Sequence, residues 1–267
     1  MKTIIMLMPY FGNWPEWFNL YLETCKQNTT INWLFFTDCP EPENKCLNVR
    51  YIRMSFEEFR KYAGEKLGFP LNMSHPYKIC DLRVAFGVIF DEYIAGYDYW
   101  GFGDIDLLYG NIRKFLTDNI LRYNVISFHS HSLSGSFSCF KNNLELKYMY
   151  RYLNNWQDKL SRDNWYDELD KLLGKILIKK EGSYFIESFN APGANGIPWV
   201  DGPYIYPTEW YWSDGRLINN RDGGREFLYF HFMLWKGGKW GRLWRGGQWE
   251  NLKKIVHFHY KEATDGW

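Results

Sequence analysis

Two carboxylates separated by one isoleucine, Asp104 and Asp106, close an aromatic run written Y-D-Y-W-G-F-G-D-I-D-L-L-Y-G, Tyr97 to Gly110. On an extended chain alternate side chains share a face, so both acids can point one way while Ile105 packs behind them. Two hard oxygen ligands suit Mg²⁺ or Mn²⁺, ions that bind few protein carboxylates and take further ligands from phosphate oxygens. The chemistry implied is a divalent ion seated on a phosphate. A bare D-x-D also describes a solvated turn. Gly101 and Gly103, which let backbone approach closely, and the apolar flanks favour the metal reading. A calcium loop of the form D-x-[DN]-x-[DN]-G is excluded, because Leu107 and Leu108 follow.

Such a pair needs a strand end to carry it. Thr3 to Met8 is a short apolar, β-branched run bounded by Pro9 and Gly12, which predicts a buried first strand. Trp14 to Cys25 has helical spacing, with Pro15 suited to a first turn, and Asn32 to Phe36 reads as a second strand ending at Thr37-Asp38. This β-α-β order predicts an α/β fold with an open, mainly parallel central sheet flanked by helices, whose ligands lie beyond the carboxyl ends of the strands. Helices are expected over Phe56 to Leu67, Tyr77 to Phe90, Leu144 to Leu160 and Trp165 to Ile178. Strands are expected over Tyr97 to Phe102, Asn124 to Phe128 and Phe137 to Phe140.

After Gly182 the composition shifts to Gly, Pro, Trp and Tyr, which predicts turns and short strands. L-W-K-G-G-K-W from Leu234 and L-W-R-G-G-Q-W from Leu243 form a near-repeat, each Gly-Gly able to turn a hairpin on an aromatic ribbon. Between Lys236 and Lys254 basic residues dominate, with Glu250 the one acid. Such a ribbon suits either plain solvation or an anionic membrane or glycan surface.

The chain has 267 residues and 46% hydrophobic content, enough for one large or two small domains. Its aromatic content of 20% fits sugar-binding clefts and membrane-interface surfaces. A net charge of only +1 argues against a nucleic-acid partner. The opening M-K-T-I-I-M-L-M-P is too short for a secretion signal, and no stretch reaches the roughly 18 apolar residues of a spanning helix. A cytoplasmic protein is expected, in possible contact with the inner face of the membrane through the ribbon. Five scattered cysteines without a C-x-x-C pair argue against a disulfide framework or zinc knuckle.

Taken in order, these motifs resemble those of the DxD-containing glycosyltransferases of the GT-A fold, particularly the small bacterial ones of surface-polysaccharide synthesis. The resemblance rests on M-P-Y-F-G (Met8 to Gly12), F-F-T-D (Phe35 to Asp38), Y-K-I-C-D-L-R (Tyr77 to Arg83), the D-I-D, L-S-G-S-F-S-C-F (Leu133 to Phe140) and F-H-F-M-L-W-K (Phe230 to Lys236). It implies a single GT-A-like catalytic domain over 1–267, with a nucleotide-sugar-binding half to about 140 and an acceptor-side half beyond. It implies that Pro9, Tyr10, Phe11 and Gly12 meet the nucleotide, that Asp38 lies by the base or ribose, and that Lys78 and Asp81 approach the donor. Gly103, Ser134 and Gly135 would lie beside the donor sugar. His231 would join Asp104 and Asp106 around Mn²⁺ or Mg²⁺, with Asp106 the direct ligand and Asp104 serving the ribose or reaching the ion through water. Lys236 would meet the diphosphate, although Gly-Gly follows it where the family has Pro-Trp. A histidine in an aromatic strand is also commonly a hydrogen-bonded core residue, and His257 and His259 compete for the metal role.

The implied reaction moves a sugar from a nucleotide-diphosphate donor, a UDP-sugar by resemblance, to a glycan or lipid-linked saccharide acceptor. The metal would stabilise the departing diphosphate. Retention of configuration is favoured by the late histidine, while an inverting enzyme would need a carboxylate base. Candidate acids are Asp167 and Glu168, then Glu187 and Asp201; for the first two, helix-start charge stabilisation is the alternative. His129 and His131 suit an acceptor-side or surface role. The competing classes are a metal-dependent nucleotidyltransferase or phosphohydrolase and a non-catalytic carbohydrate-binding module.

Overall fold

The computed structural model describes residues 1–129, 132–164, 166–180, 182–185, 199–200, 202–203, 205, 207, 209–232 and 255–259. Lys236, Glu187, Asp201, His131 and the tryptophan ribbon from Leu234 to Trp249 lie outside them. Contacts divide the chain into two compact units, one built from 1–14, 30–104 and 118–186, the other from 15–29, 105–117 and 187–267.

The first unit is built on a seven-stranded sheet. Its strands are β1 (Ile4–Pro9), β2 (Ile31–Thr37), β3 (Val49–Arg53), β4 (Tyr99–Gly103), β6 (Val125–Ser127), β7 (Phe137–Lys141) and β8 (Ser183–Phe185), in the order β3-β2-β1-β4-β7-β6-β8. β1 runs parallel to both β2 and β4, whereas β7 runs antiparallel to its neighbours β4 and β6. With β6 and β8 parallel, β7 is the one reversed strand of a mainly parallel sheet. Ile5, Leu7, Leu34 and Phe36 join one hydrophobic cluster with Phe59, Phe90, Trp100 and Leu173. Ile4, Met6, Trp33 and Phe35, the alternate positions, are buried as well. A strand buried on both faces reads as an unbroken apolar run, which is what Ile4 to Met8 looks like in sequence.

The helix Phe56–Leu67 has the bounds its spacing predicts. Ser55 and Glu58 form a capping box, and Gly68 ends the helix with φ 82°. The stretch Tyr77 to Phe90 differs from its expectation. It is broken into short turns, Pro76–Lys78, Ile79–Leu82, Arg83–Ala85 and Phe86–Ile89. Apolar spacing records which side faces the core but not the hydrogen-bond pattern, and here three charged residues, Lys78, Asp81 and Arg83, turn inward to partners distant in sequence. Leu144 to Leu160 is likewise broken at Asn155, whose φ is 53°. β3 is a strand the sequence did not announce. Its exposed arginines, Arg50 and Arg53, fit a sheet edge guarded by charge.

In the second unit the helix Phe18–Gln27 is tied down by the Asn28 side chain. That amide donates to the Gly110 carbonyl at 2.9 Å and accepts from the Ile112 N–H at 2.9 Å. β5 (Leu107–Tyr109) pairs antiparallel with β11 (Tyr229–His231), and β9 (Glu209–Ser213) lies between β10 (Arg216–Asn219) and β12 (Ile255–His259). Trp212 donates its indole N–H to the Tyr109 carbonyl at 2.9 Å. Gly110 admits no substitute, because a Cβ there would sit 2.2 Å from the Phe227 carbonyl oxygen. His257 and His259 are backbone partners of Tyr211 and Glu209 through β12. Among the described residues no helix is long and apolar enough to cross a membrane.

Candidate active site

β4 delivers the acids. It is squeezed between β1 and β7, and a Cβ on Gly101 would come within 2.5 Å of the Ser138 carbonyl oxygen and 2.9 Å of Met6 Sδ, so a larger residue would prise the strands apart. The strand ends at Gly103, and the Asp104 N–H donates to Ser136 at 3.2 Å. Next, the Ile105 carbonyl accepts the Trp17 indole at 3.1 Å, and the Asp106 carbonyl accepts the Phe232 N–H at 3.1 Å. In the β5–β11 ladder Leu107 lies opposite His231. The result is local and precise in register: His231 Nε2 stands 3.4 Å from Asp106 Oδ1, both side chains almost enclosed.

The division between the units runs through the D-I-D itself, between Asp104 and Ile105. The spacing of its two acids is therefore the geometry of a tripeptide. Within the second unit Asp106 and His231 bring a carboxylate and an imidazole together, and Asp104 lies two residues before Asp106 in the chain. Two carboxylates and one imidazole make an oxygen-rich donor set suited to a divalent cation.

Asp104 also forms an ion pair with Arg83, whose guanidinium donates to it from Nη2 and lies 5.5 Å over the Phe102 ring. On its other side Arg83 faces the Ser134-Gly135 segment. A Cβ on Gly135 would meet Arg83 Nη1 at 2.9 Å and Asp170 Oδ2 at 3.1 Å. Burial pushes the Asp170 carboxyl up from its ordinary range, against the opposing pull of Arg83 and of the Tyr166 hydroxyl that donates to it at 2.9 Å. Ser134 is enclosed. Its N–H donates to Ser127 Oγ at 2.8 Å and its carbonyl accepts from Ser138 Oγ at 2.8 Å.

Lys78 and Asp81 are both 0% exposed, so all they touch is protein. Lys78 Nζ donates to Asp81 Oδ2 at 2.9 Å, to the Lys159 carbonyl at 2.9 Å, to Asn164, and to Asp167 Oδ2 at 3.3 Å. Asp81 in turn accepts the N–H of Asp167 at 2.8 Å and of Leu169 at 3.2 Å. Burial would raise the Asp167 carboxyl, but hydrogen bonds from Arg162 and Lys78 outweigh it and hold the group below its ordinary range. Glu168 follows with its side chain half exposed and paired to Lys171.

At the end of β1 the Pro9-Gly12 loop meets the end of β2. Gly12, at φ 106°, donates its N–H to Asp38 Oδ1 at 2.7 Å. The Tyr10 N–H donates to the Phe36 carbonyl, and the Tyr10 ring stacks on Trp14 with centroids 5.3 Å apart. Phe11 turns inward onto Phe56 and Phe59.

The structure thus gathers the candidates into three groups: Pro9 to Gly12 with Asp38; Asp106 with His231; and Lys78, Asp81, Asp167 and Glu168. Sequence reasoning missed Arg83, Tyr166 and Asp170. Arg83 closes the quoted Y-K-I-C-D-L-R string, and a cation in an otherwise apolar-flanked turn was the available signal; Asp170 carried none.

The chain belongs to a family of unknown function (DUF6625), whose profile matches residues 6–260. No curated protein matches it in sequence. Among solved structures it is similar to the galactosyltransferase LgtC in complex with donor and acceptor sugar analogs, at 16% identity and TM-score 0.39 over 70% of this chain and 75% of that one. It is similar to the glycosyltransferase GlyE of Streptococcus pneumoniae TIGR4 at 10% identity and TM-score 0.40, over 70% of this chain and 45% of that one. Mouse xyloside xylosyltransferase 1 follows at 12% identity and TM-score 0.35, over 70% and 84%. With TM-scores this low the likenesses carry no argument about chemistry.

Proposed function

We propose that this protein is a metal-dependent glycosyltransferase of the GT-A type, moving a sugar from a nucleotide-diphosphate donor, a UDP-sugar, to a glycan or lipid-linked saccharide. Surface-polysaccharide synthesis in the cytoplasm is the setting this reading implies. The observation that carries it is the β5–β11 pairing, which sets His231 beside Asp106 two residues beyond Asp104, at the carboxyl end of a strand in a mainly parallel sheet. That is where α/β sheets bind nucleotides.

Asp104, Asp106 and His231 would hold Mn²⁺ or Mg²⁺, which when bound supplies Lewis acidity to the departing diphosphate. The chain's own residues do the rest. Asp38 is held by the Gly12 N–H and offers its second oxygen to a ribose or base. The Tyr10–Trp14 stack gives a flat aromatic flank to that loop. Arg83 pairs with Asp104 and aims it, and the missing side chain of Gly135 lets Arg83 and Asp170 approach its backbone. Glu168, exposed next to the buried ion network, is with Asp167 the candidate carboxylate to face the reacting sugar, and the late histidine favours retention.

Incubation with a panel of nucleotide sugars and Mn²⁺ tests the reading. Sugar transfer or donor hydrolysis that Asp106→Ala abolishes supports it. Hydrolysis unchanged in that variant removes the metal assignment, and glycan binding without turnover favours a binding module.

A further inference from the structure

Glu168 is one of three non-glycine residues with left-handed backbone among the described residues, at φ 54°. With ψ 42° it immediately precedes the helix Leu169–Leu177. A residue with a Cβ holds this conformation at a cost, and keeps it where its surroundings enforce it. The enforcing contacts lie on either side of it. Asp81 accepts the N–H of Asp167 at 2.8 Å and that of Leu169 at 3.2 Å, bracketing Glu168. Lys78 anchors Asp81 at 2.9 Å and reaches Asp167 Oδ2 at 3.3 Å, so one cation grips both the bracket and the turn.

A buried ion pair is an expensive way to start a helix. Serine or asparagine caps a helix without desolvating two charges. Here both partners are 0% exposed while the residue they bracket has a side chain 52% exposed. The enclosed charges are spent on the geometry of an accessible carboxylate.

We propose that the Lys78–Asp81 pair is a positioning device: it locks the Asp167-Glu168 turn in its left-handed form and so fixes the Glu168 carboxylate for the transfer reaction, without touching the donor. This rests on the glycosyltransferase reading, with Glu168 as the group that faces the reacting sugar. Lys78 and Asp81 then act through the turn, which differs from the donor contact that the sequence motif implies.

The test combines a stability cycle with kinetics. The double variant Lys78→Met/Asp81→Asn removes both charges together, so neither is left buried alone. Glu168→Gly takes the left-handed backbone freely, and in the otherwise unchanged protein it raises Tm by about 2 °C. In the double variant the turn can relax, and Glu168→Gly then brings no gain. Donor kinetics complete the test: kcat of the double variant falls about 100-fold with donor KM within about twofold, the pattern of a displaced group. Glu168→Gln lowers kcat comparably. Additive Tm effects overturn the clamp. Coupled Tm effects with an unchanged kcat, or a change in KM alone, overturn its catalytic purpose. If the wild-type protein turns over no nucleotide sugar, the glycosyltransferase reading fails and takes that purpose with it, while the Tm cycle still decides the clamp.

Discussion

Two clusters in this protein put aspartates to opposite ends. Around Lys78 and Asp81 the charges are sealed from water and matched inside, one ammonium against four acceptors and one carboxylate against three donors. In the other cluster the Asp106 carboxylate stands 3.4 Å from the His231 imidazole, and Asp104, two residues earlier, keeps a quarter of its side chain in solvent. The closed cluster satisfies its valences with protein and so fixes structure. The open one sets an acid beside an imidazole, with a second acid two residues away in the chain, an arrangement useful to an added cation. An aspartate is therefore chemical or structural according to what already neutralises it.

Substitutions should separate the two kinds. The largest effect is expected at the open cluster: Asp106→Ala should lower metal-dependent turnover by about 10³-fold or more and abolish the Tm rise on adding Mn²⁺, while Tm without metal hardly falls. A collapse of Tm in the metal-free protein would make this cluster structural too. Next comes the closed cluster, where Lys78→Ala strands the Asp81 carboxylate in the interior and should cost about 3–5 kcal/mol by urea unfolding. The paired Lys78→Met/Asp81→Asn change should recover most of that loss, and no recovery would show that shape rather than charge dominates.

Asp170 tests the boundary between the two kinds. Burial raises its folded-state affinity for a proton, so its ionisation opposes folding at neutral pH and this penalty fades as pH falls through its raised pKa to the ordinary carboxylate value. Asp170→Asn should thus leave Tm at pH 7 unchanged or higher, with the gain shrinking towards pH 4. A sharp loss at pH 7 would put Asp170 with the closed cluster, matched to Arg83.

Asp98 is the surface control and the smallest effect. Hydrogen bonds from Lys2 and from the Thr3 N–H lower its carboxyl to about 2. A depressed carboxyl stabilises above its unfolded pKa, and that contribution is lost as pH falls towards 2. Because Asp98 is over a third exposed, Asp98→Asn should lower Tm at pH 7 by only about 1–2 °C. At pH 2 the difference should vanish; a difference that persists there would have to come from packing.

Much of the scaffold was legible from residues that act locally. Ile4 to Met8 reads as a doubly buried strand because both its faces are apolar, and Ser55 with Glu58 and Gly68 mark a helix at both ends. His231 could be named as a partner for the D-I-D, but the reason they meet, three residues of β5 paired with three of β11, is a contact across more than a hundred positions with no periodicity to reveal it. The same limit hid the burial of Lys78 and Asp81. Their partners, Lys159 to Leu169, are remote in sequence, and a charge looks solvated until its counterpart is known. Glu168 shows the limit most sharply, since nothing in W-Y-D-E-L-D announces a left-handed backbone.

Asn28 has a consequence for how the chain is made. Its amide joins the helix Phe18–Gln27 to Gly110 and Ile112, and Tyr109 beside them waits for Trp212. On the ribosome this helix emerges before its partners, with Phe18, Tyr21 and Leu22 still uncovered, and must remain available until residues synthesised far later complete its unit. Expression trials that stop at Ile186 would therefore not isolate the first unit. They would leave 15–29 and 105–117 as orphaned apolar stretches, and aggregation or chaperone capture is the expected fate of such a fragment.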